Sequence, residues 1–190
     1  MTAPTLVTPR LILRPLTGAD FDDWVAFHGD AETMCYLGGP QPRSVAWRNL
    51  CAMAGAWTIR GFGMFAVEER ASGRWVGRVG PWQPEGWPGT EVGWGVAPAF
   101  SGRGYAFEAA VAAIDFAFDV LGWDDVIHTI HPDNARSIRL AERLGSTRRQ
   151  LVALPPPLDH MTVIAWGQRA ADWHARRPGI VQAPAVSSAG

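Results

Sequence analysis

Lysine is absent from this 190-residue chain, so all 17 of its Lys/Arg cations are arginine. That removes the nucleotide P-loop, which needs a Gly-Lys-Ser/Thr ending. Tyrosine is scarce, with two residues against ten Trp and eight Phe, which limits the phenols able to act as proton donors. The two cysteines, Cys35 and Cys51, have no partner motif around them. They define neither a disulfide framework nor a metal site and read as buried free thiols. Neither charge sign is in surplus, the net charge being −1, so no broad basic field exists to attract nucleic acid or a membrane surface. Long uncharged apolar runs are missing too. The most apolar stretch, residues 105–121, contains Glu108, Asp115 and Asp119, spaced to share one face of an amphipathic helix. The opening MTAPTLVTPR does not resemble a secretory leader. The expectation is a cytoplasmic protein, monomer or homodimer, with no nucleic-acid or membrane partner.

What is present suits one globular domain: 47% apolar and 18% charged residues over a length that buries a single core. A short strand is expected over residues 11–16. A helix should follow over 17–28, with Thr17 as N-cap and Asp20 three residues later. A second helix fits 44–60, with Trp47, Leu50, Ala54 and Trp57 at helical spacing. Three strands then follow, over 61–69, 74–81 and 90–97, separated by turn residues. Next come a long helix over 103–121, a strand over 125–130 and a helix over 134–144. Gly122 and Gly145 stand where helices commonly end. Strands over 147–152 and 160–166 flank the Leu154-Pro155-Pro156-Pro157 link, and a last helix is expected over 168–177. Residues 1–177 therefore read as one domain and 178–190, without a charge, as a disordered tail. Three consecutive strands before the central helix set this αβ pattern apart from a doubly wound Rossmann domain.

The strongest chemical signal is the run Val96-Ala97-Pro98-Ala99-Phe100-Ser101-Gly102-Arg103-Gly104-Tyr105-Ala106, a strand end and a glycine loop opening a helix. Unpaired backbone N–H groups at such a helix start, approached closely at glycine, suit a pyrophosphate. Arg103 adds a cation, and the helix dipole about half a positive charge. A dinucleotide fingerprint would need a third glycine near Phe107 and an early strand, and has neither. On its own, a Gly-x-Gly also serves merely to turn the chain.

The run from Glu91 to Ala110, with Asn134 through Gly145, resembles the acetyl-coenzyme A site of the GNAT N-acetyltransferases. Thr8-Pro9-Arg10-Leu11-Ile12-Leu13-Arg14-Pro15 and Asp159-His160 are similar to the RimJ/RimL-like, ribosomal-protein N-terminal acetyltransferase branch. The likeness covers roughly residues 6–175. The family's Gln/Arg-x-x-Gly-x-Gly/Ala motif aligns with Ser101-Gly102-Arg103-Gly104-Tyr105-Ala106, Ser101 departing at the first position. The resemblance implies an α+β fold: a central mixed, mostly antiparallel sheet of about seven strands, flanked by helices and splayed at its middle for the cofactor. It implies acetyl-coenzyme A as co-substrate, no metal, and Val96, Ser101, Gly102, Arg103, Gly104, Tyr105, Ala106 and Asn134 as cofactor-binding residues. Gly93 and Gly95, on one face of their strand, would let the cofactor lie against backbone. Asn134 is equally a plausible N-cap.

The activity implied is direct acetyl transfer to a primary amine, a protein N-terminus or a small molecule, in a ternary complex. Many family members place a Tyr acid on the helix after the Asn, where this chain has Ala141. Ser137, one turn earlier, is the candidate to hydrogen-bond the departing sulfur. Glu91 is the candidate base, pointing to the glycine face. The demand on a base depends on the acceptor: an α-amine of pKa about 7.7 to 8.0 is roughly 15% neutral at pH 7, a lysine ε-amine below about 0.1%. His160 is placed on the acceptor side, and Trp47, Trp57, Trp82 and Trp87 flank it. His128-x-x-His131 lacks a third metal ligand. The alternative is a non-catalytic acyl-coenzyme A or ligand-binding module with the same fold.

Overall fold

The computed structural model describes residues 3–181. Eight strands form one sheet in the order β1-β2-β3-β4-β5-β6-β8-β7. They are β1 (Leu6–Val7), β2 (Leu11–Pro15), β3 (Phe65–Glu69), β4 (Trp75–Trp82), β5 (Glu91–Val96), β6 (Asp125–Ile130), β7 (Thr147–Val152) and β8 (Val163–Arg169). The helices are α1 (Phe21–Gly29), α2 (Ala31–Met34), α3 (Arg43–Arg60), α4 (Tyr105–Asp115), α5 (Ala135–Arg143) and α6 (Ala170–Val181). The α+β class is as expected. The eighth strand is β1, whose two residues are too few to show an alternation.

All neighbours pair antiparallel except β5 and β6, which run parallel and share a single register pair, Glu91 with Ile127. Past that pair the two strands diverge, so the sheet opens at its centre. On one face, α4 packs Ala109, Ala110, Ala113 and Ile114 against Val67, Val76, Val79 and Val92. On the other, α1 and α3 close over Met64, Ala66 and Trp75 with Trp24, Phe27, Leu50 and Met53. A bulge where Val67 and Glu68 oppose β4 puts Trp75 and Val76 into opposite cores. Arg78, four residues before Trp82, therefore falls on the α1–α3 face, opposite Ala66 and Gly95.

Several boundaries move for local reasons. Thr17 and Asp20 form the expected capping box, but it closes a 3₁₀ turn over Gly18–Asp20 before α1 begins. The long helix starts at Tyr105 because Gly102 and Gly104 sit at φ +77° and +78°, a left-handed conformation no α-helix contains. It ends in a π turn over Phe116–Val120. The last strand begins at Val163, not residue 160, because the chain is still turning through Leu158 and Met161. Helix α6 runs on to Val181, past the expected end at Arg177; the rest of the expected tail, 182–190, lies outside the described residues. Both cysteines are exposed, against expectation. Cys51 neighbours Leu50 on α3, but the buried stripe there is Ala46, Leu50, Met53 and Trp57, and Cys51 points away from it. Among the described residues no helix is long and apolar enough to cross a membrane.

Candidate active site

Two cavities meet at the opening between β5 and β6. The larger, about 1120 Å³, runs from the end of β5 over the glycine loop to the outer face of α5. The smaller, about 450 Å³, lies under α1–α3 and the loops around residues 84–87 and 154–158. Tyr36, Leu37, Trp94, Asn134 and Ser137 line both and mark the junction.

The larger cleft is built as an anion cradle. No protein acceptor is found among the described residues for the backbone N–H groups of Gly102 through Phe107. The loop is held from outside by Arg10, whose Nε donates to Glu108 at 2.6 Å and whose Nη1 donates to the Arg103 carbonyl at 3.0 Å. An added Cβ at Gly102 would meet nothing, so the space above the loop is open. A diphosphate fits this donor set. Val96, Ser101, Gly102, Gly104, Tyr105, Ala106 and Asn134 all line the cleft. Arg103 does not: its guanidinium lies over Phe100 at 5.3 Å, within 3.9 Å of Glu69. The Tyr105 hydroxyl donates to Glu69, which raises its pKa and occupies its proton. Sequence reasoning missed Arg136, Arg139 and Arg143, which line the cleft from α5. Their i, i+3, i+7 spacing on a predicted helix was the available signal.

Helix α5 begins at the cleft because the Asn134 Oδ1 accepts the Ser137 N–H at 3.1 Å. The cap uses only that oxygen, leaving the amide nitrogen of Asn134 to donate elsewhere. One turn on, the Ser137 hydroxyl accepts from Trp94 Nε1 at 3.2 Å, so its own proton remains available at the junction.

Glu91 stands at the inner end of the smaller cavity and is 6% exposed. Its Oε1 accepts from the Thr129 N–H at 3.1 Å and its Oε2 from Trp87 Nε1 at 2.5 Å. Burial nevertheless dominates and pushes its carboxyl up to about 7, the range that suits a base at neutral pH. Gly93 and Gly95 share its face, but the room they leave is filled by protein: an added Cβ would lie 2.8 Å from Met64 and 2.7 Å from Phe27. Those glycines therefore make room for core side chains on that face, while Gly95 also lines the larger cleft and Gly93 the smaller cavity.

His128 bridges the opening, its Nδ1 2.7 Å from the Val92 carbonyl and its Nε2 3.0 Å from the Ser146 hydroxyl. Burial lowers its pKa to about 4, so it is neutral there and structural. His131 stacks on Tyr36 with ring centroids 5.0 Å apart. Among the described residues no cluster of three metal-ligating side chains occurs. His160 is exposed on the turn before β8, outside the cavity that its neighbours Leu158 and Met161 line. Of the four tryptophans placed at the acceptor side, Trp82 and Trp87 line the cavity. Trp57 is core, donating to the Met64 carbonyl, and Trp47 is exposed against Phe21.

Residues 10–147 match the acetyltransferase (GNAT) domain family. The solved acetyltransferase of Agrobacterium tumefaciens C58 is 32% identical, covers 89% of this chain and 96% of its own, and superposes with a TM-score of 0.77. More distant structures share the fold alone. A ribosomal-protein-serine acetyltransferase of Vibrio cholerae is 24% identical, over 89% of this chain and 99% of that one, at TM-score 0.74. A spermidine N-acetyltransferase of the same organism, in complex with coenzyme A and spermine, is 17% identical, over 88% and 99%, at 0.71. Relatives this diverse give the ribosomal-protein branch no specific support. With its centrally opened sheet, its glycine-loop cradle and a family match over most of its length, the chain belongs to the GNAT acetyltransferases.

Proposed function

We propose that the protein transfers an acetyl group from acetyl-coenzyme A to a primary amine by direct attack in a ternary complex. The observation that carries this is the junction of the two cavities. There a set of unpaired loop N–H donors leads inward to Ser137, and a buried carboxyl pushed up to about 7 lies beyond it. Acetyl-coenzyme A supplies an activated thioester whose departing group is a thiolate. The loop donors at residues 102–107, with Arg136, Arg139 and Arg143, hold its phosphates. Glu91 takes a proton from the entering amine, directly or through one water, as the N–C bond forms and the C–S bond breaks. Ser137, polarised by the Trp94 N–H, gives its proton to the leaving sulfur and is reprotonated from solvent.

Tyr36 is the second hydroxyl at the junction and the competing acid. Under this account Ser137→Ala lowers kcat by about 10²-fold or more, while Tyr36→Phe stays within a few-fold. The reverse pattern would move the acid to Tyr36. The non-catalytic alternative predicts acetyl-coenzyme A binding without free thiol for any amine. Thiol release on adding amine to the full chain separates the two readings.

A further inference from the structure

Arg78 is 8% exposed and lines the smaller cavity. No carboxylate lies within 4 Å of it among the described residues, its guanidinium makes no hydrogen bond there, and its Nε is fully buried without a partner. It lies over the Trp24 ring at 5.9 Å, a weak contact for a desolvated cation, and the Glu91 carboxyl acts on it only through space, without contact. Burial lowers its pKa only to about 10, so it stays charged at neutral pH. A buried cation without a hydrogen-bonded or contacting counter-ion is costly, and a ligand anion entering the cavity would supply one.

The surroundings say what that is. His28 lines the same cavity, its Nδ1 2.9 Å from the Trp24 carbonyl and its Nε2 buried without a partner. Burial first, then the Arg78 charge, lowers the His28 pKa to about 3. The ring is neutral, so Nδ1 carries the proton donated to Trp24 and Nε2 presents a lone pair. The cavity's buried charged and unpaired polar groups are thus Arg78, the bare His28 acceptor and Glu91, while Arg48 and Glu85, which also line it, are exposed. Met34, Leu37, Met53, Met64, Trp82 and Trp87 supply apolar wall. Arg78 faces Gly95 across the sheet and Glu91 faces Trp82, a separation of four residues, or about 13 Å at the strand rise. That is the backbone offset; the side chains make no ion-pair contact, each charge still acts on the other, and both line the one cavity a small molecule could enter.

We infer that the acceptor is a primary amine carrying a carboxylate and an apolar body, the chemistry of a free apolar amino acid, with Arg78 holding the carboxylate while the amine faces Glu91. A single planar guanidinium matches a monoanionic carboxylate in charge and in its two-point geometry. A peptide N-terminus offers an amide at that position and leaves Arg78 unpaired. This inference rests on the amine acetylation proposed above.

The test compares L-phenylalanine with 2-phenylethylamine, L-phenylalanine amide and a Phe-initiated tripeptide as acceptors for the full chain, reading kcat/KM by thiol release. L-Leucine against 3-methylbutylamine repeats the comparison with an aliphatic body. The carboxylate members are expected to exceed their neutral counterparts by at least about 100-fold, because a site built around a buried polar group strongly rejects ligands that leave it unpaired. Arg78→Met should bring that ratio near one and leave coenzyme A binding by calorimetry unchanged, which also reports folding. Arg78→Lys should keep part of the preference. Calorimetry of N-acetyl-L-phenylalanine against its amide, on coenzyme A-loaded protein, reads the same preference without turnover. Equal or better use of the plain amines, or equal binding of the two products, overturns the inference and leaves acetyl transfer standing. Acetyl transfer itself fails if no thiol is released with any of these amines, and the product-binding comparison then still reads the carboxylate preference separately.

Discussion

At the scale of single residues, Glu91 as the proposed base sets the expected pH profile. A base must be deprotonated, so with its carboxyl at about 7 kcat/KM should fall as pH drops below about 7 and level off above it. Glu91→Gln should cost about 10²- to 10⁴-fold in kcat and remove that acid limb. A variant at full rate from pH 6 to 9 excludes Glu91. Its position was legible in the sequence because strict alternation from Glu91 to Val96 fixes which side chains share a face. Arg78 was not, although it too sits on a strand. An arginine in an apolar run reads as solvent-facing, and a bulge against Val67 and Glu68 resets the face on which each β4 residue falls. Tyr36 is not legible for a related reason: only the tertiary fold brings its segment to the junction.

Elements carry the cofactor site. The start of α4 is set by glycines at +77° and +78°, and the unpaired N–H groups beyond them are a local consequence of that geometry. A sequence motif could therefore announce the loop. Gly104→Glu should abolish coenzyme A binding in calorimetry, because it places a carboxylate in the anion cradle and strains the left-handed backbone; unchanged binding would refute the assignment. Asn134→Ala should destabilise the domain by about 1 kcal/mol through loss of the α5 cap, and weaken coenzyme A as well if the free amide nitrogen contacts it. The glycines of β5 show how far element-level reading goes. Gly93 and Gly95 were correctly placed on one face, but pattern alone does not say whether the room belongs to a ligand or to Met64 and Phe27.

For the whole molecule, the opened sheet is what joins two cavities. The resemblance to the GNAT family implied it, while the parallel β5–β6 pairing rests on long-range contacts that no local pattern encodes. Stability follows from the buried titrating groups lining that opening. His28 and His128 are held at about 3 and about 4 in the fold, against an unfolded value near 6.5. Their stabilising contribution is complete above about pH 6.5 and is lost as pH falls towards those folded values. Glu91 works in the opposite sense. Its raised folded value means the native state binds the extra proton between about pH 4.5 and 7, offsetting part of that loss. Near pH 5.5, Glu91→Gln should therefore lose stability with acid more steeply than the wild type, by about 1.4 kcal/mol per pH unit. Denaturant unfolding at pH 7.5, 6.5 and 5.5 measures the difference, and parallel curves would contradict the buried-carboxyl assignment. The central claim is met most directly by mixing full-length protein, acetyl-coenzyme A and an apolar amino acid, then following free thiol and acetylated amine together. The account predicts that the two appear in equal amounts, with no acetylated protein by mass spectrometry; bound acetyl-coenzyme A that releases no thiol with any amine would contradict it.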